Sequence, residues 1–302
     1  MTDFYLVTGF LGAGKTTFLR RFVRLFEGQR LSVIVNEFGK INVDEQLLHA
    51  LRISLRGVTG GSIFCACRLD QFERALIDAI TEEPEVLIVE TSGFTDPTAM
   101  RAALMRSPAL PSLHYRGCIA LADAAALYKL YETANVIKKQ LSACDVAILN
   151  KMDLATGEQA RRSMDVLLQT IPPERIFRAA HGEFPSAFAE LIGELHGELP
   201  GGGALTADLN QRSLSLAINE SATRSRLAEA LHGLADCTYR VKGFVSLRGE
   251  VCHVDCVGGQ IRVDSAPDAQ PSGNQLTVLC GSGQAAERRI TEMRETYPDV
   301  VG

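Results

Sequence analysis

The sequence lacks any apolar run approaching the ~18–20 residues that a membrane-spanning helix needs, and residues 1–9 carry no signal-peptide pattern. These absences lead us to expect a soluble, cytoplasmic protein with no membrane partner. Basic residues are scattered through a chain of net charge −5, so no basic patch announces a nucleic-acid partner. Eight cysteines in 302 residues are too few for a disulfide scaffold. In a reducing compartment, isolated thiols are usually core residues and clustered ones signal metal or redox chemistry. No histidine-rich tract is present, which argues against metal storage, and there is no long internal repeat or low-complexity segment. What the chain does have is apolar mass: 46% hydrophobic residues, enough for one large or two ordinary domains with real cores.

The stretch that organises the rest is Gly9-Phe10-Leu11-Gly12-Ala13-Gly14-Lys15-Thr16-Thr17, which fits G-x-x-x-x-G-K-[ST]. Phe4–Thr8 before it reads as a buried strand, and Phe18–Phe26 after it is apolar at helical spacing. A glycine-rich strand-to-helix turn lets backbone N–H groups form an anion nest, with the helix N-terminus adding positive potential. Gly12, Ala13, Gly14, Lys15, Thr16 and Thr17 are therefore the expected phosphate-binding residues. Lys15 can reach the β- and γ-phosphates, and Thr16 can ligate Mg²⁺.

Leu31–Val35 predicts a second strand, running into Asn36-Glu37-Phe38-Gly39 and Asn42-Val43-Asp44. Glu37 and Asp44 are candidate ligands for Mg²⁺, its waters or a second metal. Gly60-Gly61 then leads into Ser62-Ile63-Phe64-Cys65-Ala66-Cys67. Two thiolates in a Cys-x-Cys pair suit one soft or borderline ion but leave a tetrahedral site half filled. Leu69–Ile80 predicts an amphipathic helix, and Val86–Val89 is a continuous apolar run of the central-strand type. It ends in Glu90-Thr91-Ser92-Gly93. Glu90 stands where a Walker-B carboxylate would reach Mg²⁺ through water, and Gly93 can offer its N–H to the γ-phosphate. Cys118–Asp123 predicts a fourth strand, with Asp123 expected to cap the next helix.

Val146–Leu149 predicts a fifth strand, ending in Asn150-Lys151-Met152-Asp153. A carboxylate at Asp153 accepts both the N1–H and the exocyclic amine of guanine, which adenine cannot supply. Asn150 can hold loops together near the base edge, and the Lys151 stem can cover its face. Together the two motifs favour GTP and GDP over ATP. Arg175–Arg178 predicts a sixth strand, followed by Ala179-Ala180-His181-Gly182, where His181 reads as a surface loop residue.

These motifs resemble the CobW-like family of P-loop GTPases, the cobalamin-synthesis-protein group. The carriers are Gly9–Thr17, Asn36-Glu37-Phe38-Gly39, Glu90-Thr91-Ser92-Gly93 and Asn150-Lys151-Met152-Asp153. The resemblance implies a P-loop α/β fold with a mainly parallel, doubly wound sheet. It also implies GTP and Mg²⁺ as cofactors, and delivery of Zn²⁺, Co²⁺ or a related ion to a client metalloprotein. The family's Gly-Cys-x-Cys-Cys motif is altered here: aligned on Gly61, its cysteines become Ser62, Phe64 and Cys65, with Cys67 two residues beyond. A reworked metal site from Cys65, Cys67 and Glu37 is the remaining candidate.

Leu199-Pro200-Gly201-Gly202-Gly203 marks a linker. The expected organisation is a GTPase domain at 1–198, a linker at 199–212 and a smaller α+β domain at 213–302. Arg240–Phe244 resembles the opening strand of the CobW C-terminal domain. Cys252-His253-Val254-Asp255-Cys256 groups several potential ligands, but on a strand the two cysteines share one face and His253 and Asp255 the other. Three functions follow as expectations: a slow GTPase switch for metal delivery, a GTP-dependent reactivase of a corrinoid or other metalloenzyme, or a GTP-loaded module without productive hydrolysis. No arginine finger and no water-positioning glutamine of the Ras type stand out, so intrinsic turnover should be low. A homodimer is left open.

Overall fold

The computed structural model describes residues 1–36, 53–58, 69–98, 110–197, 211–257, 259–269, 271, 273–281 and 284–302. The chain divides into two compact units, Met1–Asp208 and Leu209–Gly302.

The first unit is built on a seven-stranded parallel sheet. Its strands are β1 (Thr2–Gly9), β2 (Leu31–Asn36), β3 (Ile53–Val58), β4 (Val86–Glu90), β5 (Leu113–Asp123), β6 (Val146–Asn150) and β7 (Ile176–Arg178). Their spatial order is β3-β2-β4-β1-β5-β6-β7. The helices are α1 (Lys15–Phe22, continued by a 3-10 turn), α2 (Leu69–Thr81), α3 (Leu127–Thr133), α4 (Asn135–Ser142), α5 (Gly157–Leu167) and α6 (Ser186–Glu194).

β1 shows why the sheet is covered on both faces. Tyr5 and Val7 join Phe18 and Phe22 of α1 and Phe188 of α6 in one core, while Phe4 and Leu6 join Leu76 of α2 in another. Burying each such side chain contributes about 1.5–3 kcal/mol, so alternate residues of one strand anchor helices on opposite sides. From β1 the chain winds outward to β2 and β3 in one direction, then to β5, β6 and β7 in the other. The reversal leaves a crevice at the carboxyl ends of the strands beside β1, where ligands of open α/β sheets bind.

Six strands were expected; β3 is the addition. Ile53-Ser54-Leu55-Arg56-Gly57-Val58, the last strand of the order among the described residues, mixes apolar and polar residues, so no continuous apolar run advertises it. β5 also begins five residues before the predicted Cys118, at Leu113.

The second unit is an antiparallel sheet of order β11-β10-β9-β12-β8. It comprises β8 (Gln211–Ala217), α7 (Arg224–His232), β9 (Arg240–Leu247), β10 (Glu250–Val257), β11 (Gln260–Ser265), β12 (Gln275–Gly281) and α8 (Ala285–Thr296). β8 starts two residues ahead of the expected domain start at 213. On β10, Cys252, Val254 and Cys256 lie in the core with Leu227 and Leu231 of α7 and Ile290 and Met293 of α8. On the opposite face the His253 ring lies 4.9 Å from that of Phe244, and Arg240 Nε donates to Asp255 Oδ1 at 2.8 Å. Strand alternation thus separates the grouped ligands, and burial pushes the Cys256 thiol up to about 12.

Candidate functional site

β1 passes to α1 through a tight turn. Gly9 has φ 139°, and a Cβ there would lie 2.3 Å from the Leu121 carbonyl oxygen. Gly14, the N-cap of α1, is in the left-handed region at φ 96°. No side chain caps this helix and no acid stands in its first turn, so its first N–H groups and positive dipole end suit an anion. The Lys15 ammonium donates to the carbonyls of Gly9 at 2.8 Å and Phe10 at 3.1 Å, lying across its own loop. Thr16 is half-buried and Thr17 exposed in the first turn of α1.

Glu90 is the last residue of β4 and is buried. Beyond it, Thr91 N–H donates to the Val7 carbonyl at 2.9 Å, and the Thr91 hydroxyl donates to that of Thr8 at 3.0 Å. The turn that follows touches the loop: a Cβ on Gly93 would lie 2.6 Å from the Leu11 amide nitrogen. Only glycine permits that approach. Phe10 and Phe94 also meet edge-on, with ring centroids 5.3 Å apart.

Asn150, the last residue of β6, is 2% exposed. Its Nδ2 donates to the Ala13 carbonyl at 3.0 Å, and its Oδ1 accepts from Gly182 N–H at 3.2 Å. One side chain therefore ties the phosphate loop to the loop after β7. Space is tight on both sides, because a Cβ on Gly14 would lie 2.3 Å from Asn150 Nδ2, and one on Gly182 2.8 Å from the Phe18 amide. Met152 N–H donates to the Ala179 carbonyl at 3.1 Å, holding the Lys151–Asp153 turn beside the same loop.

Asp123 does not cap α3 as expected. That helix starts at Leu127 with Ala126 as N-cap and no side-chain cap. Asp123 instead closes the preceding turn, accepting from Ala125 N–H at 2.9 Å, and pairs with Lys151 Nζ at 2.9 Å. The pair fixes the lysine stem, with Lys151 itself at φ 61°. His181 is exposed, yet its Nε2 lies 3.5 Å from Asp153 Oδ2, a contact that loop position alone does not reveal.

Lys15, Thr16, Glu90, Gly93, Asn150, Lys151 and Asp153 thus gather at the carboxyl edge of β1, β4 and β6. Glu37, Asp44, Ser62, Phe64, Cys65 and Cys67 lie outside the described residues. Among the described residues, no group of three or more His, Cys, Asp or Glu side chains could hold a metal ion. Sequence reading passed over Gln140 of α4, which is 2% exposed. Its Nε2 donates to the Gly93 carbonyl at 3.1 Å and to the Thr95 carbonyl at 3.2 Å. Its signal was a polar residue on the buried stripe Val136, Ile137, Gln140, Leu141.

The family model described as CobW/HypB/UreG, nucleotide-binding domain matches residues 3–178, and that of the cobalamin synthesis protein CobW C-terminal domain matches residues 211–293. The chain belongs to the CobW/HypB/UreG family. Among curated relatives, the zinc chaperone YjiA of Escherichia coli is 31% identical over 185 residues, which cover 59% of this chain and 57% of YjiA. The zinc chaperone CobW of a Sinorhizobium species is 29% identical over 214 residues, 60% of each chain. A zinc-regulated GTPase metalloprotein activator of Schizosaccharomyces pombe is 28% identical over 176 residues, 55% of this chain and 42% of that one. The chain therefore spans less than two thirds of the length of these relatives.

Proposed function

We propose that this CobW/HypB/UreG-family protein binds GTP and hydrolyses it slowly, and that its nucleotide state governs delivery of a metal ion to a client protein in the cytoplasm. The observation that carries the nucleotide half is the Asn150 bridge between the Ala13 carbonyl and the Gly182 amide. From the head of the N-K-x-D turn, Asn150 holds both the phosphate-binding turn and the loop after β7, so one ligand with a phosphate tail and a guanine head fits across them. The residues fit that ligand: the α1 N-terminus is uncapped, and Gly14 leaves room that a side chain would fill. Lys15 and the loop amides hold the phosphates, while Asp153 reads the base. A hydroxyl at Thr16 and a carboxylate at Glu90 are hard oxygen donors suited to Mg²⁺. When bound, Mg²⁺ neutralises charge on the β- and γ-phosphate oxygens.

The metal half rests on the names of relatives, two of them zinc chaperones and one a zinc-regulated GTPase metalloprotein activator. Zn²⁺ or Co²⁺ is the cargo, with Cys65, Cys67 and Glu37 as its candidate ligands. Ser62 and Phe64, standing where two family thiolates would, favour a second reading in which the protein remodels a metalloenzyme instead of carrying free ion. The deciding experiment measures GTP hydrolysis together with Zn²⁺, Co²⁺ and Ni²⁺ affinity, in GDP and in a non-hydrolysable GTP analogue. Delivery requires metal affinity to differ between the two nucleotide states, since a ligand shifts an equilibrium only by its differential affinity. Equal affinities in both states, with hydrolysis intact, leave the remodelling reading.

A further inference from the structure

We infer that Gln140 is a positioning residue through which the γ-phosphate acts, fixing the Gly93–Thr95 backbone against the phosphate loop. The inference rests on the nucleotide reading above and extends it to how the site distinguishes GTP from GDP. Gln140 is a buried polar residue on an otherwise apolar stripe of α4. Burying its amide costs free energy unless its hydrogen bonds are made. Its Nε2 makes two, to the carbonyls of Gly93 and Thr95, residues on either side of Phe94. Pinning both carbonyls fixes the Gly93–Phe94 and Thr95–Asp96 peptide planes. Thr95 N–H donates at 3.1 Å to the Ser92 carbonyl, whose peptide plane carries the Gly93 N–H, so the turn's hydrogen bonds pass the constraint on to the direction of that amide.

That direction matters because the Gly93 Cα packs against Leu11 so closely that no Cβ fits. The preceding residue of α4 adds a second tie, with Lys139 Nζ 2.9 Å from Asp96 Oδ2, and Ser92 and Thr95 hydroxyls meet at 2.8 Å within the turn. Residues 92–96 are thus held from α4 on one side and face the phosphate loop on the other. A γ-phosphate drawing on the Gly93 N–H pulls against α4, whereas GDP does not reach that amide. Gln140 touches no nucleotide in this scheme and acts only through the turn.

The test compares wild type with Gln140→Leu, Gln140→Glu and Gln140→His. Each full-length protein is titrated with GDP and with a non-hydrolysable GTP analogue in Mg²⁺, and its single-turnover GTP hydrolysis is timed. Gln140→Leu should change GDP affinity less than about threefold yet lower analogue affinity and hydrolysis by about tenfold or more. Gln140→His, whose Nε2–H has the reach of the glutamine amide, should recover most of the loss. Gln140→Glu offers a donor only when protonated, so its analogue affinity should rise as pH falls while that of wild type stays flat. Should Gln140→Leu fail to fold, the histidine and glutamate variants carry the comparison. Equal losses of GDP and analogue affinity in all three variants would mean a purely structural role and overturn the inference. So would wild-type values throughout. Wild type binding neither nucleotide sinks the parent reading, and this one with it.

Discussion

Replacing Asn150 by alanine tests the bridge on which the site depends. Asn150 is closed off from solvent and has two partners, the Ala13 carbonyl at 3.0 Å and the Gly182 amide at 3.2 Å. Truncation leaves a buried acceptor and a buried donor without partners, at about 1–3 kcal/mol each. Two such losses come to about 2–6 kcal/mol, toward the lower end where the smaller side chain admits water. Against a typical total of about 5–15 kcal/mol, the variant should still fold, with a clearly lower urea midpoint. The loops also lose their tie, so part of the ordering now built in must be supplied on binding. GDP affinity should fall by about 10–100-fold, equivalent to about 1.4–2.8 kcal/mol. Gly14→Ala should act through the same contact, because its Cβ would lie 2.3 Å from Asn150 Nδ2. The two changes combined should then cost less than their sum. The assays are urea unfolding and titration with a fluorescent GDP derivative. A midpoint and GDP affinity both within error of wild type would refute the reasoning.

Asp153→Asn should lower GDP affinity by at least about 100-fold, since two hydrogen bonds to a charged group are lost at about 1.5–3 kcal/mol each. The same variant should gain affinity for xanthosine diphosphate, whose C2 carbonyl accepts from the new amide; parallel calorimetric titrations check both. Cys118, Cys252 and Cys256 are buried, and burial raises the Cys118 and Cys256 thiols, the latter to about 12. Iodoacetamide at pH 8 should leave these three unmodified in the folded protein and label them in urea, as read by peptide mass spectrometry. Burial also raises the Asp145 carboxyl, against lowering by hydrogen bonds from Cys118 N–H and the Tyr115 hydroxyl. Below the unfolded value of about 4 both states are protonated and the group costs nothing. As pH climbs from there through the raised folded value, the native state keeps its proton longer and stability falls, the penalty then persisting. The stability difference between Asp145→Asn and wild type, from urea melts, should therefore favour the variant increasingly across that window and then level off.

Much of the fold was legible because buried elements carry dense signals. The strands β1, β2, β4 and β6 are covered on both faces, so each reads as a short apolar run, interrupted in β2 by the buried Ser32. The second unit was legible for the opposite reason: one covered face makes its strands alternate, and Cys252, Val254 and Cys256 point inward while His253 and Asp255 do not. β3 escaped notice because Ser54, Arg56 and Gly57 interrupt its apolar residues, leaving no continuous apolar run. Asp123 was misread because a helix-capping residue and an ion-pair partner look alike in sequence. Its Lys151 partner is nearly thirty residues away and arrives only through the pairing of β5 with β6.

The sequence alone determined which chemistries are available. Glycines, a lysine and a hydroxyl at fixed spacing can cradle a phosphate, and an aspartate after N-K-x can read guanine, whatever surrounds them. Those are local properties of short segments. Only the tertiary structure decided which groups work together. The winding of the sheet brings Asn150 to both Ala13 and Gly182, because parallel strands far apart in the chain end side by side at one edge, and the packing of α4 brings Gln140 to Gly93. Spacing in sequence carries no trace of those distances, since they are set by which strands pair and in what order.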